Sequence, residues 1–90
     1  MRALDYANPQ HSFIETFQGG DEHTATQDGM LIGSIARNSS TSGVKGYIKI
    51  NNTEINIPVG LVSVSLPISK GDNIYIYTYG SYYIYLFNYI

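Results

Sequence analysis

An all-β fold, a jelly-roll β-sandwich of about eight antiparallel strands, is what this sequence predicts, and three observations support it. Clusters of Gly, Pro, Asn, Asp and Ser recur along the chain at spacings of about 8–12 residues. The runs between them alternate apolar and polar residues with period two, so each presents one face to a core. No stretch holds the period of an amphipathic helix. Short strands in so small a chain fit two stacked sheets better than one open sheet, whose edges would stand bare. The 90 residues make one domain, with a lead-in or attachment segment over 1–11 and a sandwich over 12–90.

In chain order, the lead-in carries turn formers around Asn8-Pro9-Gln10, and Pro9 biases Asn8 to extended geometry. Ser12 to Phe17 reads as the first strand, closed by a turn at Gly19-Gly20-Asp21. Glu22 to Thr26 is polar and weakly strand-like, the pattern of an edge. Gln27-Asp28-Gly29 makes a turn, Asp-Gly being a strong local signal for one. Met30 to Arg37 is an apolar run between turn signals; Gly33 within it disfavours a helix, which leaves a central strand. Asn38 to Gly43 is the longest loop, rich in small polar residues. Val44 to Ile50 alternates, turns at Asn51-Asn52, where positive φ is tolerated, and returns as Thr53 to Ile57 in a tight hairpin. Pro58-Val59-Gly60 closes it.

The last third of the chain is the most informative. Leu61 to Ile68, Ile74 to Tyr79 and Tyr82 to Ile90 alternate with period two and are separated by Ser69-Lys70-Gly71-Asp72 and Tyr79-Gly80-Ser81, which predicts a meander of three antiparallel strands. In the first run Val62, Val64, Leu66 and Ile68 share one face, opposite Ser63 and Ser65. In the last two runs the aliphatic Ile74, Ile76, Ile84 and Leu86 alternate with Tyr75, Tyr77, Tyr79, Tyr83, Tyr85, Phe87 and Tyr89. Such strands have something to bury on both sides. With no cysteine for a disulfide and no cluster at zinc-ligand spacing, oligomerisation is one of the few remaining sources of extra stability for a domain of this size.

Composition excludes several function classes. Charged residues make up 13% against an average of about a quarter, the net charge is −2, and the five Lys and Arg are scattered. Nucleic acid is therefore not an expected partner. No apolar run is long enough to span a bilayer as a helix, so no membrane partner is expected either. Met1 to Tyr6 lacks the apolar core of a secretory signal. There is no cysteine nucleophile, no Gly-x-Ser-x-Gly and no phosphate-cradling glycine loop, so the expectation is neither an enzyme nor a cofactor protein. Asp21 and Glu22 are a carboxylate pair that glycosidase chemistry would need to hold about 5–10 Å apart across a cleft. His11 and His23 with Asp21, Glu22 and Asp28 could offer metal ligands, for instance on a threefold axis, but their spacing matches no structural site and no metal is assigned. Lys70-Gly71-Asp72 looks like an integrin-binding tripeptide and reads more simply as a turn with Gly71 at positive φ and both charges facing water. Asn38-Ser39-Ser40 and Asn51-Asn52-Thr53 match the glycosylation sequon, idle without secretion.

Two stretches carry a family resemblance. Thr24-Ala25-Thr26-Gln27-Asp28-Gly29-Met30-Leu31-Ile32, and after a polar loop and a hairpin Val62 to Ile76 with its Lys70-Gly71-Asp72 turn, resemble the small head domains at the ends of bacteriophage tail or head fibres, which are similar in shape to tumour-necrosis-factor and complement-C1q heads. The resemblance covers about Thr24 to Tyr79 and rests on turn and strand signals. It implies a homotrimer of jelly rolls, a virion location, and a non-enzymatic structural or receptor-binding role. The aromatic face would then be the trimer interface, with Tyr75, Tyr77, Tyr83, Tyr85 and Phe87, since a Tyr ring buries a large area while its hydroxyl can still find a partner. The loop residues Asn38, Ser39, Ser40, Thr41 and Ser42 would contact a host-surface glycan or protein receptor. The alternative is a monomeric carbohydrate-binding module stacking sugars on its surface tyrosines.

Overall fold

The computed structural model describes residues 2–39 and 45–90. The chain is all-β: β1 (His11–Glu15), β2 (Gln18–Thr24), β3 (Gly29–Arg37), β4 (Tyr47–Ile50), β5 (Thr53–Asn56), β6 (Gly60–Ile68), β7 (Asn73–Tyr79) and β8 (Tyr82–Asn88), with no helix among the described residues. These strands form two antiparallel four-stranded sheets, β1-β8-β3-β6 and β2-β7-β4-β5, packed face to face as a β-sandwich. Strand number and most boundaries follow the alternation pattern. Gly19-Gly20-Asp21, expected to turn, instead lies inside β2, paired with Thr78, Tyr77 and Ile76 of β7. Ladder hydrogen bonds along a strand outweigh the weak strand preference of two glycines. The edge position expected for Glu22 to Thr26 holds for the part of it in β2, which closes one side of its sheet. The Asn51 turn is as anticipated, with φ 56° between β4 and β5.

The meander expected at the C-terminus does not form. β6 pairs only with β3, β7 lies between β2 and β4, and β8 lies between β1 and β3. Every connection except the β4–β5 hairpin passes from one sheet to the other. The reason is burial. Were β7 and β8 side by side in one sheet, their aliphatic rows would share a single face. Placed in opposite sheets, Ile74 and Ile76 meet Ile84 and Leu86 across the interior, and all four are fully buried. Burying each such side chain is worth about 1.5–3 kcal/mol. Phe13, Leu31, Ile35 and Ile48 complete this centre. The corner at Gly80-Ser81 is held by β3, whose Ala36 N–H donates to Ser81 O at 2.7 Å and whose Ala36 carbonyl accepts the buried Thr78 hydroxyl at 2.9 Å.

Gly33 is a point of close approach between β3 and β8. A Cβ there would run into the Tyr83 carbonyl oxygen, a backbone atom that cannot swing aside. Ahead of β1, the lead-in runs alongside the end of β8: Asp5 N–H donates to Asn88 O at 2.8 Å, Ile90 N–H donates to Ala3 O at 2.9 Å, and Leu4 bridges Tyr89. Arg2 lies 4.4 Å above the Tyr89 ring, a cation–π contact.

Candidate functional site

Splitting β7 and β8 between sheets also splits the aromatic row. Tyr83, Tyr85 and Phe87 point outward from β1-β8-β3-β6, whereas Tyr75 and Tyr77 point outward from β2-β7-β4-β5, on the other side of the sandwich. The single aromatic face expected from the sequence is two faces.

The first face belongs to β1-β8-β3-β6. Alternation about the buried Phe13, Leu31, Ile35, Val64, Ile84 and Leu86 leaves Ser12, Ile14, Met30, Ile32, Ser34, Ala36, Leu61, Ser63, Ser65, Pro67, Tyr83, Tyr85 and Phe87 outward. None carries a charge. Tyr85 and Phe87 stack at 5.8 Å, and Tyr6 of the lead-in meets Phe87 edge-on at 5.1 Å. Ile14 is 49% exposed, Tyr83 46% and Leu61 76%, high values for large apolar side chains. A groove of about 660 Å³ lined by Arg2, Ala3, Leu4, Tyr6, Met30 and Tyr89 continues this surface under the lead-in.

The second face belongs to β2-β7-β4-β5 and is differently made. The register sets Tyr77 beside Tyr47, and it sets Tyr75 between Glu22 and Lys49. Tyr47 stands 6.0 Å from Tyr75 and 5.8 Å from Tyr77, centroid to centroid, the first pair stacked and the second tilted at 34°. Tyr47 is not among the aromatic residues expected from the sequence, because it stands alone in its strand rather than in a Tyr-rich run; its signal is the alternation of Tyr47 and Lys49 with Ile48 and Ile50. Burial, together with the neighbouring Tyr75, Glu54 and Tyr77, raises the Tyr47 phenol above its ordinary pKa.

At the open edge where β1 meets β2, the rings of His11 and His23 stack nearly parallel at 4.3 Å. His11 Nε2 lies 3.2 Å from Asp21 Oδ2, and His23 Nε2 donates to Gln10 Oε1 at 2.8 Å, an oxygen that also accepts the Thr26 N–H. Desolvation first, and then the neighbouring His11, lower the His23 pKa, with Asp21 opposing them. Parallel rings direct their lone pairs within separate planes and cannot converge on one ion, and no group of three or more His, Asp or Glu side chains among the described residues could hold a metal. Glu22 faces the other way, and Asp28 is occupied elsewhere, accepting Lys70 N–H at 2.8 Å. Asp21 and Glu22, adjacent on β2, point to opposite faces and do not flank a common cleft.

The loop residues separate in the same way. Asn38 and Ser39 are exposed, and Asn38 N–H donates to Tyr79 O at 2.8 Å; Ser40, Thr41 and Ser42 lie outside the described residues. Gly71 takes φ 93°, as a turn at Lys70-Gly71-Asp72 requires, although the turn joins the two sheets rather than neighbours in one. Its aspartate does not simply face water. Asp72 Oδ2 accepts Ser69 N–H at 2.9 Å and Oδ1 accepts Asn51 Nδ2 at 3.0 Å, bonds that hold its carboxyl below the usual range. No family model, curated protein or solved structure matches this chain.

Proposed function

We propose that this chain is a non-enzymatic, homotrimeric head domain with jelly-roll topology, of the kind that ends bacteriophage fibres, and that it presents a receptor-binding surface on the virion. The observation that carries the reading is the charge-free outer face of β1-β8-β3-β6, with Ile32, Tyr83, Tyr85 and Phe87 on its two central strands and Ile14 on the edge strand beside them. Interface cores are depleted of charge and enriched in Tyr, Phe and Met. A contiguous apolar patch of this kind left bare in solution would be an aggregation hazard. The strand order supports the topology: eight strands in two four-stranded sheets, with nearly every connection crossing between them, suit the double Greek key of a jelly roll. Three copies rather than two, and the virion location, rest on the resemblance of the Asp28-Gly29 and Lys70-Gly71-Asp72 segments to fibre heads.

Within this reading Tyr83, Tyr85 and Phe87 form the subunit contact. Tyr75 and Tyr77 leave it, because copies joined through opposite faces of a sandwich would stack in an open array rather than close into a ring. Light scattering on a sizing column, repeated over a dilution series, tests the proposal. A persistent species of three chains is the expected result, and a monomer that stays soluble at all concentrations overturns it.

A further inference from the structure

We propose that the outer face of β2-β7-β4-β5 holds a binding cleft for a neutral oligosaccharide, built on the rings of Tyr47 and Tyr75. This deepens the receptor-binding role proposed above by naming a ligand class, and it rests on that reading only for the expectation that a receptor exists. The cleft measures about 380 Å³ and is lined by Tyr47, Tyr75, Glu22, Lys49, Asn52 and Asn73, together with the Asn51 turn. That volume falls within the span of about 300–1,000 Å³ typical of small-molecule sites.

A sugar ring offers an apolar C–H face and an equator of hydroxyls that both donate and accept. A matching site therefore needs an aromatic surface beside mixed hydrogen-bonding groups, and the register assembles both here. Tyr75 lies in one row with Glu22 on β2 and Lys49 on β4. Its ring is held from two sides. Tyr47 stacks on it at 6.0 Å, and its hydroxyl lies over Gly20, where any side chain would collide with it. The end of the cleft is braced: Asn51 Oδ1 accepts Asn73 N–H at 3.0 Å, Asn51 Nδ2 donates to Asp72 at 3.0 Å, and Asn73 Nδ2 donates to Thr24 Oγ1 at 3.1 Å. Such bracing lowers the ordering cost of binding. The Glu22 carboxylate, the Lys49 ammonium and the Asn52 amide, in contrast, have no hydrogen-bond or ion-pair partner among the described residues. They leave acceptors and donors open next to the rings.

Charge selects the ligand class. Glu22 and Lys49 offset each other within the cleft, and the chain carries a net −2, so an anionic sugar or a phosphate meets a single cation against a repelling background. A neutral oligosaccharide meets no such penalty.

The test is an amide NMR titration of the isotope-labelled full chain with three neutral probes, maltotetraose, cellotetraose and triacetylchitotriose, each to about 10 mM. At least one should shift the amides of Tyr47, Lys49, Asn73 and Tyr75 saturably. Tyr75→Ala should weaken that binding about tenfold or more. Glu22→Gln, on a side chain with no hydrogen-bond or ion-pair partner among the described residues, should weaken it about threefold with the fold untouched. If none of the three probes moves these amides, or if the shifts survive in both variants, the cleft is not a saccharide site. Light scattering on the same samples separates the two proposals: a monomer that binds sugar sinks the trimer and leaves the cleft standing, and a trimer that binds none of the probes does the reverse.

Discussion

The two outer faces of this sandwich are built on the same backbone plan and differ in what stands between their tyrosines. On β1-β8-β3-β6 the rings of Tyr83, Tyr85 and Phe87 are surrounded by Ile, Met, Ala and Ser, without a charge. On β2-β7-β4-β5 the rings of Tyr47, Tyr75 and Tyr77 alternate with Glu22, Lys49, Glu54 and Asn73. The first surface leaves large apolar side chains in water with no charge among them, the composition of a face that suits a second copy of the chain. The second keeps hydrogen-bonding groups in reach of water when empty and of a polar ligand when filled. Aromatic content by itself does not separate an interface from a binding platform; the residues between the rings do.

The frame that aligns the first face gives the largest expected effect. Gly33→Ala forces a methyl group against the Tyr83 carbonyl between β3 and β8, and a loss of about 3 kcal/mol or more in chemical denaturation is expected. A variant of unchanged stability would mean that the spacing of these strands is not rigid. Next comes a paired substitution that opposes the faces. Tyr85→Ala should weaken subunit association by about 2 kcal/mol, read as a raised dissociation constant in sedimentation equilibrium, while Tyr77→Ala should leave the mass unchanged. Equal effects from the two would erase the distinction. Because the first face is uncharged, association should also be nearly insensitive to salt between about 0.05 and 0.5 M; strong weakening by salt would point to a different contact.

Smaller effects probe single groups. Burial, with Asp21 and Glu15 nearby, pushes the Tyr82 phenol up to about 12, so absorbance titration should show a late ionisation that Tyr82→Phe removes. The unfolded chain loses that proton near pH 10. Stability should therefore fall as the pH rises from there toward the native value, and Tyr82→Phe should make this alkaline slope shallower. The opposite limb belongs to Asp72, whose native pKa lies below its ordinary 3.8. Its contribution is whole above that value and disappears as the pH falls through the lowered one. Since the group is largely solvated, Asp72→Asn should cost about half a kcal/mol or less at neutral pH and flatten the acid limb by the same amount.

Much of this architecture was legible from alternation and turn chemistry. Eight strands, the central place of Met30 to Arg37, the edge character of the second strand and the Asn51 and Gly71 turns follow from local preferences acting over a few residues. Tyr47 was also within reach, through its alternation with Ile48 and Ile50. The Gly19-Gly20-Asp21 stretch was not, since only pairing with β7 makes a strand of it.

What the sequence by itself determined is which residues share a face of each strand, because successive side chains point to opposite sides whatever the strand pairs with. Only the tertiary structure decided which strands are neighbours. The alternation of a strand such as β7 or β8 reads the same whether the next strand stands beside it or across the core, so local pattern does not distinguish the two. Packing Ile74 and Ile76 against the opposite sheet, rather than next to Ile84 and Leu86, closed the core and sent the tyrosines of the last two strands to opposite surfaces. The separation of a charge-free aromatic face from one that mixes rings with charged and amide groups follows from that one choice.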